Sequence, residues 1–395
     1  MKQSFSNLKR RFTSMISFSF LVSRPMEDPI RSELFSADRF DQHARSLAEA
    51  QLVTEDPKSG VPLAPRLREN EKILRESFRY LTLEAEKKKP IHPAGEWLID
   101  SFYVVEEQLR DIKRYLPHDF YNELPKLSDG FLRGYPRVYG LAWAYVAHTD
   151  SRFDPDSLTH FVRSYQQVQP LTIGELWALA ITLRVVMADN LRRIAVYLVT
   201  SQEARQDADA FVDELLGLIE ETPGAGRPSA AKLERQSAHP AFLVQLIQRL
   251  RYQDPTGIPA VNWLNERLAA GKTTAEDMVA SVHSRQAANN STVRNIITSF
   301  RSMTAFNWQE FFEEVSLVQE ILSGNPNFPR MDFMTRNSYR TAVEEIAKGS
   351  QKSELEIARW AVGKAGRGAG ASGFSGRFQD PGYYLFAEGR GAFEK

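Results

Sequence analysis

Aromatic and acidic side chains crowd the stretch between residues 93 and 150. Trp97, Tyr103, Tyr121, Tyr135, Tyr139, Trp143 and Tyr145 lie alongside Glu96, Asp100, Glu106 and Glu123, with Arg137 in the same run. Aromatic faces beside carboxylates and arginines are what a sugar-binding surface uses. The structural alternative is that Tyr and Trp fill a helical core with their polar tips satisfied, which is the commoner use and the favoured reading. Carboxylates that hydrolyse a glycosidic bond need a fixed separation across the sugar, and spacing along a chain does not supply it. The residues singled out as a candidate contact surface are Trp97, Tyr103, Glu106, Tyr121, Glu123, Tyr135, Arg137, Tyr139 and Trp143.

Other chemistry-bearing patterns are weaker. Asp207-Ala208-Asp209 supplies hard oxygen ligands of the kind Mg²⁺ or Mn²⁺ takes, but it falls inside a charged helical run and reads as a solvated face. Gly271-Lys272-Thr273 imitates the end of a phosphate-binding loop. Such a loop needs a further glycine where this chain has Glu266, so a helix stop is read instead. The seven histidines, at 43, 92, 118, 148, 160, 239 and 283, show no His-x-x-x-His spacing for zinc. No Gly-x-Ser-x-Gly elbow supports a serine nucleophile. Cysteine is absent, which excludes disulfides and thiolate metal sites. No catalytic, cofactor-binding or metal-ligating residue is therefore assigned.

The elements that must position these side chains are helices. Leu98, Phe102, Val105, Leu109, Ile112 and Leu116 recur at steps of four and three, forming one stripe with Glu106, Glu107, Arg110, Asp111 and Lys113 facing elsewhere. The connector from Leu124 to Gly140 is too rich in aromatics for an ordinary surface loop and is expected to lie on a core. Strand alternation is nearly missing. Helices are expected over 38–52, 66–88, 94–116, 138–148, 155–168, 172–199, 202–220, 240–252, 258–270, 275–288, 291–304, 308–322, 338–348 and 352–363. Thr172 with Glu175, and Thr273 with Glu276, read as capping boxes; Asp154-Pro155 reads as a cap followed by a first-turn proline. Gly271 and Gly324 read as C-terminal stops.

The predicted fold class is all-α, a multi-helix bundle in two helical subdomains with flexible termini. Residues 1–33 form a flexible leader, 34–221 a first subdomain, 222–237 a linker, 238–362 a second subdomain, and 363–395 a Gly-rich linker and truncated tail. A chain of 395 residues is long for one core, and hydrophobic residues at 42% suffice to build two or three. Fifty basic against fifty acidic residues leave no net charge to draw in nucleic acid. A membrane span needs about 20 apolar residues. The best stretch, Leu176 to Val186, is interrupted by Arg184 and closed by Asp189, so a buried helix is expected. The apolar run from Phe12 to Val22 after Lys9-Arg10-Arg11 is short, dotted with serines, and lacks a small-residue cleavage site.

Several of these stretches also carry a family resemblance. EWLIDSFYVVEEQLRDIKRYLP (96–117), FYNELPKL (120–127) and GYPRVYGLAWAYVAHTDSR (134–152) resemble the N-terminal region of bacterial cyclic β-1,2-glucan synthases. So do Val162–Gln166, Pro170–Leu179, Asp189-Asn190-Leu191-Arg192-Arg193, Asp254-Pro255-Thr256, residues 284–301, 306–322 and Pro329–Phe333. The similarity runs from about Leu34 to Ile357.

The resemblance implies a large membrane glycosyltransferase that polymerises glucose from a UDP-sugar. Its membrane spans, glycosyltransferase domain and carbohydrate-active domains do not follow Lys395, so a truncated or split chain is expected. UDP-glucose and a divalent metal are expected for the full enzyme and not for this chain. The expected partners are the glycosyltransferase and membrane domains of the same family, with β-1,2-glucan a further candidate. The implied location is cytoplasmic, peripheral to the inner membrane, and the implied role is non-catalytic scaffolding or regulation of glucan synthesis. The alternatives are an independent glucan-binding or carbohydrate-active enzyme working through the 93–150 cluster, and a free-standing helical adaptor. Glu356-Ile357-Ala358-Arg359-Trp360 imitates the Gln-x-x-Arg-Trp signature of processive glycosyltransferases, with Glu in place of Gln. It is read as a helix face with Trp360 packed. The Gly134-Tyr135-Pro136-Arg137 turn has a second reading as a docking surface for the other domains.

Overall fold

A computed structural model describes residues 27–54, 60–116, 118–215, 239–250, 259–368 and 376–392. Among the described residues the chain is all-helical, with sixteen α-helices and no sheet. They are α1 (Ala37–Ala50), α2 (Leu63–Glu86), α3 (Pro93–Asp100), α4 (Phe102–Tyr115), α5 (His118–Glu123), α6 (Arg137–His148), α7 (Pro155–Gln166) and α8 (Ile173–Leu215). Then come α9 (Pro240–Leu250), α10 (Pro259–Ala270), α11 (Ala275–Ala305), α12 (Trp308–Val315), α13 (Leu317–Leu322), α14 (Phe333–Lys348), α15 (Glu354–Gly368) and α16 (Pro381–Phe386).

The axis of the molecule is α8. From Ile173 to Val199 every residue but Trp177, Ala180 and Arg193 is buried, which is what distinguishes a central helix from a surface one. At about 1.5 Å per residue it is roughly 65 Å long. Helices α2, α4, α6, α9 and α11 pack against it. The expected break between 199 and 202 is absent, because no Gly or Pro interrupts the helix there. Thr200 turns its hydroxyl back to Val196 O, and the helix continues. No helix among the described residues is long and apolar enough to cross a membrane.

One apolar core draws on residues from Ile30 to Leu385. A smaller cluster joins the far end of α8 to α9 and α10 through Ala204, Ala208, Val212, Phe242, Leu246, Leu264 and Leu268. Burying a Leu, Ile or Phe side chain is worth roughly 1.5–3 kcal/mol, so these two clusters supply the main drive to fold. The expected 222–237 linker and most of the leader lie outside the described residues. Residues 27–33 of that leader are described, and Ile30 is buried.

The helix ends follow local chemistry. Glu175 and Thr172 close the expected capping box: Thr172 N donates to Glu175 Oε2 at 2.9 Å and Glu175 N to Thr172 Oγ1 at 3.2 Å. The expected Thr273–Glu276 box is displaced by one residue, because Thr274 is the N-cap and accepts from Asp277 N. After α10 the chain is turned by Lys272 at φ +51° rather than by Gly271. The expected helix over 94–116 breaks at Ser101 into α3 and α4, yet Leu98, Phe102, Val105, Leu109 and Ile112 all stay buried. The separate 275–288 and 291–304 helices are one helix, α11. The expected 308–322 helix breaks at Ser316.

At the C-terminal end, α15 runs through Gly363 and Gly366. Residues 376–392 then pack on the same chain. Leu385 is fully buried, Tyr339 donates to Asp380 Oδ1 at 2.6 Å and Asn325 to Gln379 O at 2.8 Å.

Candidate functional site

An open groove of about 510 Å³ runs between α1, α6 and the segments 29–32 and 127–132. On α6, Gly140, Ala144 and Ala147 share one face and keep its floor shallow, while Trp143 and His148 stand at its sides. A Cβ at Gly140 would come within 2.6 Å of Gln51 Nε2 and 3.0 Å of Leu127, so glycine lets these two side chains close onto α6. From the opposite wall come His43 and Leu47 of α1 and Gln51, the residue that ends it.

The segment 27–32 is pinned from below by the Asp189–Arg193 run of α8. Asp189 is fully buried and accepts from Arg66 at 2.9 and 3.1 Å, Arg193 at 3.0 Å, Asn70 at 3.1 Å and Arg192 at 3.3 Å. Burial pushes its carboxyl pKa up, but the hydrogen bond from Arg66 and the charges of Arg192, Arg66 and Arg193 outweigh burial and hold it below the usual range. The same three arginines reach Glu27, at 2.7 Å from Arg192, 2.9 Å from Arg193 and 3.5 Å from Arg66. Arg193 also lies over the Trp143 ring, 5.0 Å from its centre, so the clasp sets one side of the groove.

Next to it, Arg31 donates to Ala288 O at 2.9 Å and Asp150 at 3.3 Å, and also bonds Thr292 Oγ1. Asp150 and Ser151 sit in consecutive left-handed conformations, at φ +48° and +62°. They are held by Asn295 on Asp150 O at 3.0 Å and Ser299 on Ser151 O at 2.9 Å. The Thr149–Phe153 turn and the 289–300 stretch of α11 are thus two halves of one contact.

The second wall carries two histidines. The His43 and His148 rings lie 4.5 Å apart, with Phe35 stacked on His148 at 4.1 Å. His148 Nδ1 bonds Glu33 O at 2.7 Å. Burial, and then the neighbouring His148, lower the pKa of His43. The 127–132 loop is tied down by Ser128 N to Leu52 O at 2.9 Å and Thr54 N to Lys126 O at 2.8 Å. Lys126 is fully buried beneath it and donates to Tyr121 O and Leu124 O at 2.7 Å and Asn122 O at 3.3 Å. Burial pulls that amine down to about 8. At the tip of the loop Phe131 is 79% exposed and stands edge-on to Trp143 at 5.7 Å.

The residues singled out from sequence divide between places. Tyr135 and Tyr139 stack at 4.8 Å and lead to Trp143 at 6.2 Å. Trp143 lines the groove, while Tyr139 is buried behind it. Arg137 is buried against Glu175 in a two-pronged ion pair at 2.9 and 2.5 Å, bonds Gln169 Oε1 at 2.9 Å and Pro170 O at 3.0 Å, and ties α6 to the start of α8. Tyr121 is buried and donates to Val61 O at 2.9 Å.

The other members lie elsewhere. Trp97 packs half-buried against the core. Tyr103 is 62% exposed and accepts from Arg301 at 3.1 Å. Glu106 pairs with Arg75, and Glu123 with Lys348 at 2.8 Å. His43, His148 and Phe131 join the groove without a local signal, because no fixed spacing links them. Asp189–Arg193 did stand out, as part of the resemblance.

The patterns that imitate catalytic signatures serve other ends. Glu356 closes a capping box with Ser353, at 2.8 and 3.3 Å, and Trp360 packs against the core. Asp209 accepts from Gln245 at 2.8 Å and pairs with Arg249 at 3.5 Å, an arrangement that does not suit a nucleotide-bound cation. Among the described residues no group of three or more His, Asp or Glu side chains is placed to hold a metal ion.

No family model matches the chain. It is 34% identical over 371 residues, 93% of its length, to the cyclic β-(1,2)-glucan synthase NdvB of Rhizobium meliloti (strain 1021). The chain spans 13% of that relative's length. The resemblance read from its motifs is thus borne out: the chain is similar, over nearly all of its length, to one stretch of a cyclic β-1,2-glucan synthase.

Proposed function

We propose that this chain is a non-catalytic helical region of a cyclic β-1,2-glucan synthase that scaffolds or regulates glucan polymerisation by glycosyltransferase and membrane domains. The observation that carries this reading is the 34% identity sustained over 93% of the chain. A second line of support is the fate of the chemistry-like motifs, since Glu356 and Asp209 are committed to a helix cap and to cross-helix pairing. UDP-glucose and a divalent metal belong to the partner domains in this reading. The chain itself sits at the cytoplasmic face of the inner membrane through those partners.

Co-expression of the chain with the glycosyltransferase portion of such a synthase tests the proposal, with cyclic glucan yield as the readout. Yield should rise when the chain is supplied and should be unchanged by Asp209→Asn. Glucan formed from UDP-glucose and a divalent metal by the purified chain alone sinks the non-catalytic assignment.

A further inference from the structure

The geometry points to the groove between α1 and α6 as a binding site for a neutral β-linked glucose chain, with Phe131 and Trp143 as its stacking platform. The inference rests on the glucan-synthesis reading for the identity of the sugar, and on the groove for everything else. A pyranose presents C–H faces that pack on aromatic rings and a rim of hydroxyls that seek donors and acceptors. Phe131 and Trp143 stand 5.7 Å apart at 66°, a corner open to solvent through Phe131, which is 79% exposed. A large aromatic held out in water at the tip of a loop that is otherwise tied down gains little for the fold beyond its edge contact with Trp143. It gains contact area when a ring is laid against it.

The polar rim fits the same ligand. Among the described residues, the side chains of Asp129 and His43 have no hydrogen-bond or ion-pair partner, and both line the groove. They offer an acceptor and a donor–acceptor pair for hydroxyls. The cations at the groove are already committed, Arg193 to Asp189 and Glu27 and Arg31 to Asp150. That leaves Asp129 as the uncommitted charge, which disfavours a phosphate-bearing sugar and suits a neutral one. A volume of about 510 Å³ lies within the roughly 300–1,000 Å³ of small-molecule sites, and its open side lets a chain continue past it. Two other grooves lack this combination. The one beside Glu313, Glu314 and Glu320 has no aromatic lining, and neither does the one beside Pro240 and Arg267.

Calorimetric titration of the full chain with a short linear β-1,2-linked gluco-oligosaccharide tests the site, with UDP-glucose as a second probe. Saturable binding of the oligosaccharide is expected, weakened about tenfold by Phe131→Ala, which corresponds to about 1.4 kcal/mol. Phe131 is exposed enough that its removal leaves folding intact, so the result does not depend on Trp143 variants. Tyr103→Ala, which removes an exposed aromatic away from the groove, should leave binding unchanged. Absence of binding, binding indifferent to Phe131→Ala, or tighter binding of UDP-glucose overturns the inference. A chain that binds no oligosaccharide yet still raises glucan yield on co-expression overturns the groove and spares the scaffold. Binding without any effect on yield does the reverse.

Discussion

Asn190 on α8 grips both backbone atoms of Ile30, accepting from its N–H at 2.7 Å and donating to its carbonyl at 3.1 Å. The side-chain amide thereby acts as a one-residue strand partner for the segment that forms one wall of the groove. Its remaining N–H is spent on Ser151 Oγ at 2.9 Å, so the same amide also holds the left-handed turn after α6. Asn190→Ala is expected to cost about 1–3 kcal/mol, since Ile30 N and O are left buried without partners. Urea unfolding should show the loss. Amide exchange should show residues 27–32 opening before the rest of the fold.

The neighbouring Asp189 balances three arginines, and Asp189→Asn should be worse. Removing one partner of a buried charge cluster typically costs roughly 3–5 kcal/mol, because the remaining charges stay buried. Its folded pKa is depressed below the ordinary 3.8. The stability it contributes is therefore complete above 3.8 and is lost as pH falls through the lower folded value. Wild type should lose stability steeply in that acid range and the Asn variant should not. Equal acid sensitivity of the two proteins counts against the clasp.

Two glutamates act in the opposite direction. Glu354 accepts from Ile173 N at 2.8 Å at the start of α8. Burial pushes its pKa up to about 7; the Ile173 bond pulls it down, the charges of Glu344 and Glu175 add to the rise, and Lys348 opposes them. Burial, with Asp207 and Glu84, likewise raises Glu203 to about 7. For a raised carboxyl the stability is present below the ordinary 4.5 and is lost as pH rises through about 7. Denaturation midpoints taken across that window should fall with pH. Glu354→Gln, which keeps an acceptor for Ile173 N, should flatten the slope.

Much of the fold was legible, and the reasons are local. The Leu98–Ile112 stripe and the Thr172–Glu175 box depend on neighbours within a turn or two, so spacing alone reveals them. The errors came where polar residues do tertiary work inside a helix. Asn289 and Asn290 read as a break, yet α11 runs straight through them; a turn further on, Thr292 and Asn295 hold the Asp150 turn. Ser101 carried no break signal, and the chain still turns there between α3 and α4. Of the candidate contact residues, Trp143 alone lines the groove. His43 and His148 meet because α1 and α6 pass each other in space, and no pattern along the chain encodes that.

Lys126 is a buried cation whose partners are carbonyls rather than carboxylates. Lys126→Met keeps the length of the side chain and removes the donor. The carbonyls of Tyr121 and Leu124 then lose their partner beneath the 127–132 loop, and a loss of about 1–3 kcal/mol is expected. Because that loop carries Phe131, proteolytic nicking at 128–133 should speed up in the variant. An unchanged cleavage rate shows that the loop is held by its backbone bonds to Leu52 and Thr54 alone.

The Glu356 position offers a direct separation of structure from chemistry. Glu356→Gln completes the Gln-x-x-Arg-Trp pattern of processive glycosyltransferases, so a latent catalytic motif should respond to it by gaining function. A capping box accepts glutamine as readily as glutamate, with the side chain still reaching Ser353 N. Wild-type thermal stability and no glucan from UDP-glucose are therefore expected for Glu356→Gln, whereas Glu356→Ala should fray the start of α15. Since α15 packs on α13, α14 and α16, that fraying should spread to the 376–392 segment and register as faster exchange there. Transferase activity in the Gln variant means that this helix face does chemistry after all.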